Sequence, residues 1–226
     1  MPEIRFESVA HHYGERAVLA DVDLVLTEAR IGVIGANGSG KSTLARMING
    51  LVTPSGGRVT VDGLDTAREG RKVRRKVGFV FTDPDHQIIM PTVAEDIAFS
   101  LRRSSIPAAD RAARVATVLE TFGLAGHAEH PTHLLSGGQK QLLALAAIMV
   151  TDPELIVADE PTTLLDLRNT RLVAETFATL SQQVIAVTHQ LDLLGDFDRV
   201  LVIDSGRVVA DGAPDEAIGF YRRLIG

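Results

Sequence analysis

Gly35-Ala36-Asn37-Gly38-Ser39-Gly40-Lys41-Ser42-Thr43 decides how the rest of the chain is read. It satisfies G-x-x-x-x-G-K-[S/T], and its setting strengthens the match: an apolar strand over residues 30–35 leads into it and a helix over residues 41–49 leaves it. Glycines let the main chain wrap a polyphosphate with its N–H groups, and the helix N-terminus adds a partial positive charge at the same point. In that reading Lys41 brings a mobile cation to the β- and γ-phosphates and Ser42 a hydroxyl for Mg²⁺, while Asn37, Gly38, Ser39, Gly40 and Thr43 complete the nucleotide-binding loop. An incidental glycine-rich turn between strand and helix is the plain alternative.

Around this loop short β-branched runs alternate with longer helix-like stretches, the texture of an α/β domain. Strands are expected over residues 4–10, 18–26, 59–62, 77–81, 155–159 and 184–189, with a closing pair at 199–204 and 207–210. The pattern turns helical from 92 to 126, where Ala112, Val115, Ala116, Val118 and Leu119 share a face, and again over 137–150 and 166–180. Proline at 153 stops the second of these stretches. The chain has 226 residues, 45% of them hydrophobic and 23% charged, which suits one folded domain and excludes a disordered tail or a rod. Twenty-three Lys+Arg against twenty-nine Asp+Glu leave a formal charge of −6, so general attraction to nucleic acid is not expected. The absence of cysteine excludes a disulfide framework and a thiolate metal site. No signal peptide is read at the N-terminus, and the longest apolar run, residues 142–150, is too short to span a membrane, so a cytoplasmic chain is expected.

A second constellation tests the first. Leu155-Ile156-Val157-Ala158-Asp159-Glu160 is an apolar strand ending in two carboxylates. Beside a phosphate loop, the first acid is placed to hold Mg²⁺ and the second to orient and deprotonate an attacking water. Leu135-Ser136-Gly137-Gly138-Gln139 then narrows the field, because it opens a helix where Ser136, Gly137, Gly138 and Gln139 could bind a second anionic face. A Ser N-cap with flexible glycines would read the same locally. It does not explain why this motif falls between the other two.

That order and the LSGGQ letters resemble the ATP-binding cassette family over nearly the whole chain. The resemblance implies a P-loop NTPase cassette of α/β class over residues 1–226, with a mixed central sheet, an antiparallel β subdomain and an α-helical subdomain inserted at about residues 88–150. It implies ATP and Mg²⁺ as ligands, Glu160 and His189 as catalytic residues, Tyr13 stacked on adenine, and Asp166, in Thr163-Leu164-Leu165-Asp166, as a loop residue facing a partner subunit. For Tyr13, Asp166 and His189 the bland readings are a surface tyrosine, a helix N-cap and a structural histidine. The family binds each ATP between the phosphate loop of one cassette and the signature of another, so a dimer, here a homodimer, is implied.

One departure stands out: where most cassettes carry glutamine after the strand at 77–81, this chain has Thr82, whose shorter side chain reaches a metal or water less directly. The surrounding Phe81-Thr82-Asp83-Pro84-Asp85-His86-Gln87 and the later Pro91-Thr92-Val93-Ala94-Glu95-Asp96 resemble the ATPases of energy-coupling factor transporters, those for biotin first and those for cobalt and nickel next. This implies a peripheral protein at the cytoplasmic face of the membrane, working with a transmembrane coupling subunit and a substrate-binding membrane subunit. Ile88, Ile89, Met90 and Val93 could line a groove for a coupling helix, while the basic cluster Arg71, Lys72, Arg74, Arg75 and Lys76 reads as a solvated face. A DNA-repair ATPase is the non-transport alternative, but it would carry a long heptad insertion, which is missing here.

Overall fold

The computed structural model describes the whole chain except Ser105, Leu164 and the side chain of Arg103, Leu164 lying in the stretch quoted before Asp166. Two sheets organise it. The first is antiparallel, ordered β2-β1-β4-β5, with β1 at Ile4–Tyr13, β2 at Arg16–Leu26, β4 at Gly56–Val61 and the short β5 at Leu64–Asp65. Alternation along β2, buried at Val22, Leu24 and Leu26 and exposed between them, puts one face on the core and the other in water.

The second sheet is mixed and six-stranded, ordered β10-β9-β3-β8-β7-β6. β3 (Arg30–Ile34) runs parallel to β8 (Gln183–Val187) on one side and to β9 (Arg199–Asp204) on the other, and β7 (Leu155–Asp159) lies parallel between β8 and β6 (Val77–Val80). Only β10 (Arg207–Gly212) is antiparallel. Every residue of β7 and β8 is buried, which is why they read as unbroken apolar runs rather than alternating ones. The ends of β3, β7 and β8 reach the same edge, where strands of parallel sheets present ligand-binding loops.

Helices cover this sheet. α1 (Lys41–Ile48) buries Leu44, Ala45, Met47 and Ile48 in the core shared by the two sheets. A second core joins α3 (Val93–Ser100), α4 (Ala108–Thr121), α5 (Gly137–Met149) and α6 (Leu167–Thr179) to β6, β7 and β8. β6 and β7 are paired neighbours, so the chain between them leaves the sheet through α3, α4 and α5 before returning. Thr92 and Ser136 start α3 and α5 with capping boxes, and Asp166 caps α6 through Asn169 N–H at 2.8 Å.

Three helical elements differ from the sequence reading. The helical stretch expected over 92–126 is two helices, broken where Pro107 precedes α4 and disfavours helix before it. The basic cluster at 71–76 lies on a helix, α2 (Gly70–Lys76), which buries only Val73 and so leaves no periodic signal. A closing helix, α7 (Pro214–Ile225), was also not expected; it packs Ala217 and Ile218 against β9.

Candidate nucleotide site

The phosphate loop is held by contacts that tolerate no side chain. At Gly35, with φ of +150°, a Cβ would stand 2.0 Å from the Ile203 carbonyl, and at Gly40 (φ +110°) it would stand 2.7 Å from the Val18 carbonyl. The turn between β9 and β10 backs the loop, Gly206 N–H donating to the Ser39 carbonyl at 3.0 Å. Within it the Ser39 hydroxyl is buried with no partner among the described residues, which leaves it free to bond a ligand. Lys41, only 5% exposed, donates its ammonium to the carbonyls of Gly35 and Ala36 at 2.9 Å each. Burial lowers its pKa, and the nearby Glu160 and Asp159 work against that shift.

β7 delivers Asp159 beneath α1. Ser42 Oγ donates to Asp159 Oδ1 at 2.7 Å and Arg46 pairs with Oδ2 at 3.2 Å, so a carboxylate 1% exposed has a partner at each oxygen. A serine hydroxyl beside a carboxylate is the hard-oxygen donor set that Mg²⁺ takes together with phosphate oxygens, and these residues fit such an ion. The Thr82 hydroxyl is donated to the main-chain carbonyl of Asp159 at 2.8 Å. Glu160 follows in the left-handed region, φ +54°, its N–H bonded to the Val187 carbonyl at 2.9 Å. That turn carries its carboxylate to His189, whose Nε2 lies 3.0 Å from Oε1 and whose main-chain N–H donates to Oε2 at 3.2 Å.

The structure thus brings Lys41, Ser42, Thr82, Asp159, Glu160 and His189 to one place. Tyr13 stands at the end of β1, half exposed, with the ring of His11 edge-on at 4.6 Å. Ser136, Gly137, Gly138 and Gln139 sit apart at the start of α5, where Ser136, Gln139 and Asp166 line a groove with Arg168 and Asn169. Among the described residues no hydrogen bond or ion pair joins that group to the phosphate loop.

Sequence reasoning missed two residues here. Arg46 pairs with Asp159 across 113 positions, and its place one helical turn beyond Ser42 was the only available signal. Gln87 accepts the Phe81 N–H at 3.3 Å and donates to the Ala144 carbonyl at 2.9 Å, tying the end of β6 to α5.

The ABC transporter family model matches residues 19–163. An ABC transporter ATP-binding protein of Deinococcus radiodurans is 55% identical over 97% of this chain and 97% of its own. The biotin transport ATP-binding protein BioM of Rhizobium etli is 47% identical over 98% of each, and the energy-coupling factor transporter ATP-binding protein EcfA1 of Symbiobacterium thermophilum is 41% identical over 99% of this chain and 83% of its own. Among solved structures, cbiO1 of Clostridium perfringens, part of the transporter complex cbiONQ, superposes with a TM-score of 0.84 at 31% identity over 98% of this chain and 92% of its own. A dimeric ATP-binding cassette in a post-hydrolysis state with ADP and Pi superposes with a TM-score of 0.79 at 28% identity over 93% of this chain and 98% of its own. No helix among the described residues is long and apolar enough to cross a membrane. With the fold, the phosphate loop and the sequence likeness in agreement, the chain belongs to the ABC transporter family, as one of its ATP-hydrolysing cassettes.

Proposed function

We propose that this chain is the motor subunit of an energy-coupling factor importer, acting as a homodimer at the cytoplasmic face of the membrane and driving biotin uptake through a coupling subunit and a substrate-binding subunit. The observation that carries it is the likeness to BioM over 98% of both chains. The homodimer is supported by completeness: one chain holds a phosphate loop, the Ser42–Asp159 pair and the Glu160–His189 pair, while its signature turns elsewhere. Two copies make two whole sites. Residues 88–150 are read as the inserted helical subdomain that faces the membrane subunits.

In this reading Lys41 and the loop N–H groups bind the phosphates, Tyr13 carries the adenine, and Ser136 with Gly137, Gly138 and Gln139 closes on the ATP of the partner cassette, with Asp166 at the dimer contact. Mg²⁺, held by Ser42 and Asp159, would supply positive charge against the phosphate oxygens. Glu160 orients the attacking water and takes its proton at the carboxylate, which His189 keeps in position from Nε2. Thr82 supports the site through Asp159 rather than reaching into it.

The test is copurification with the membrane subunits, followed by binding of labelled biotin to the complex. Retention of biotin with ATP-dependent uptake supports the proposal. Retention of Co²⁺ or Ni²⁺ instead would assign the chain to a metal importer, a reading favoured by the cobalt import ATP-binding protein CbiO of Syntrophus aciditrophicus, 40% identical over 95% of this chain.

A further inference from the structure

The capping box of α5 does not end at its own two residues. Ser136 N–H donates to Gln139 Oε1 at 2.9 Å and Gln139 N–H to Ser136 Oγ at 3.3 Å, while the other end of the same amide, Nε2, stands 3.0 Å from His127 Nε2. His127 ends the short turn Ala125–His127 that follows α4. Its Nδ1 lies 2.7 Å from Nδ1 of the exposed His130, the two rings tilted by 62° with centroids 4.8 Å apart. Four groups therefore form one line from the main chain of the signature to the surface.

The line has a single closed protonation pattern. A main-chain N–H only donates, so the atom facing Ser136 N must be the amide oxygen, and the NH₂ must face His127. His127 Nε2 must then accept, which leaves its proton on Nδ1. That proton is donated to His130 Nδ1, so His130 carries its own on Nε2. The space between the two Nδ1 atoms holds a proton rather than two free lone pairs, and the pair is not a metal seat.

One added proton breaks the pattern wherever it goes. On His127 Nε2 it sets an N–H against the amide NH₂. On His130 Nδ1 it forces His127 into its other tautomer, with the same result. If the amide turns over to offer its oxygen to His127, its NH₂ meets the Ser136 N–H and the cap is lost. Each route costs the α5 N-terminus a hydrogen bond at the signature itself.

We infer that His127, relayed by His130, is a positioning residue for the signature: with both imidazoles neutral it locks Gln139 and so Ser136 in place for a partner's ATP, and acid releases them. This rests on the proposed role of Ser136. The titratable and charged groups on the surrounding elements include Glu129 beside the pair, His133 of the turn Thr132–Leu134 before the signature, Glu120 of α4, Asp166 and Arg168 at the start of α6, Glu95 of α3, which is engaged with Thr92, and Lys140 of α5, which is paired with Asp85. Among the described residues none forms an ion pair with either ring.

Two measurements decide it. Nitrogen-15 NMR of the isolated chain at pH 8 should find the Nδ1–H tautomer at His127 and the Nε2–H tautomer at His130; the reverse at His127 overturns the relay. ATP-driven dimerisation should then be followed from pH 8 to 5.5 in a Glu160→Gln background, where turnover does not intervene, with and without His127→Gln. Glutamine can offer the amide oxygen as an acceptor that does not titrate. The dimer dissociation constant should rise about three- to tenfold more with acid when His127 is present. Equal pH profiles in the two proteins overturn the proposal, whereas absence of ATP-driven dimers even at pH 8 overturns the role of Ser136 beneath it.

Discussion

His189 and Glu160 meet across the ends of neighbouring strands, Nε2 to Oε1 at 3.0 Å, and the His189 main-chain N–H holds the other carboxylate oxygen at 3.2 Å. The contact depends on Glu160 adopting φ of +54°, a conformation that costs a residue with a side chain about 1–3 kcal/mol and is kept by the bond from its N–H to the Val187 carbonyl. The carboxylate is thereby oriented through Oε2, which accepts from the His189 N–H and the Thr163 hydroxyl at 3.2 Å each, while Oε1 beside the imidazole is buried without a hydrogen-bond partner among the described residues. Glu160→Gln keeps the shape and loses the base, so kcat should fall about 10²- to 10⁴-fold with ATP affinity preserved. Phosphate release measured beside fluorescent-ATP titration checks this, and turnover close to wild type would remove Glu160 from the role.

Lys41→Met should separate binding from stability. The ammonium is buried against two carbonyls, and burial lowers its pKa from 10.5. The folded chain therefore releases this proton at a lower pH than the unfolded chain does. The cost of burying the charge is full below the folded pKa and is relieved as pH rises through it toward 10.5. At neutral pH methionine removes that cost, so the melting temperature should hold or rise while ATP affinity collapses. Calorimetry with and without ATP reads both, and a melting temperature that falls sharply would show the ammonium to be a structural strut.

How much of this was legible depends on sequence distance. The phosphate loop, the Asp159-Glu160 strand end and the Ser136 cap are local patterns, readable because their chemistry sits within nine or fewer consecutive residues. Gln87 carries no local signal, since its meaning lies in a carbonyl 57 positions away. The closing helix α7 has its start signals in Pro214, Asp215 and Glu216, but it buries only Ala217 and Ile218, so the apolar stripe after them is short. α2 had none to find, because a helix burying one valine among charges has no period.

Arg199 clasps the sheet edge. It holds Asp211 through two bonds of 2.6 Å and Glu28 at 3.0 Å, and donates to the Val25 carbonyl at 2.8 Å, joining β9 to β10 and to the end of β2. Burial raises the Glu28 pKa, but hydrogen bonds from the Thr27 and Glu28 main chain and from Arg199 outweigh it and leave the group below 4.5. Its stabilising contribution is present above 4.5 and lost as pH falls through the folded value. Arg199→Leu should cost about 1–3 kcal/mol at pH 7, and the gap from wild type should narrow in acid. Urea unfolding at pH 7 and pH 3.5 measures it; a gap that widens in acid would mean the clasp is not electrostatic.

Thr82 occupies the position where the family's glutamine is expected, and its hydroxyl is spent on the Asp159 carbonyl at 2.8 Å. That bond fixes the strand end whose carboxylate meets Ser42, so the side chain steadies the Ser42–Asp159 pair from behind. Thr82→Val, nearly the same shape, should lose about 1 kcal/mol of stability with little change in the Mg²⁺ concentration for half-maximal ATPase activity. Thr82→Gln, reaching farther, should raise the isolated subunit's activity or sharpen its Mg²⁺ dependence, since an amide can meet the metal's water shell directly. ATPase rates against Mg²⁺ for the three proteins separate strut from ligand. A large rise in the Mg²⁺ requirement of Thr82→Val, with no gain in Thr82→Gln, would make the threonine hydroxyl a ligand in its own right.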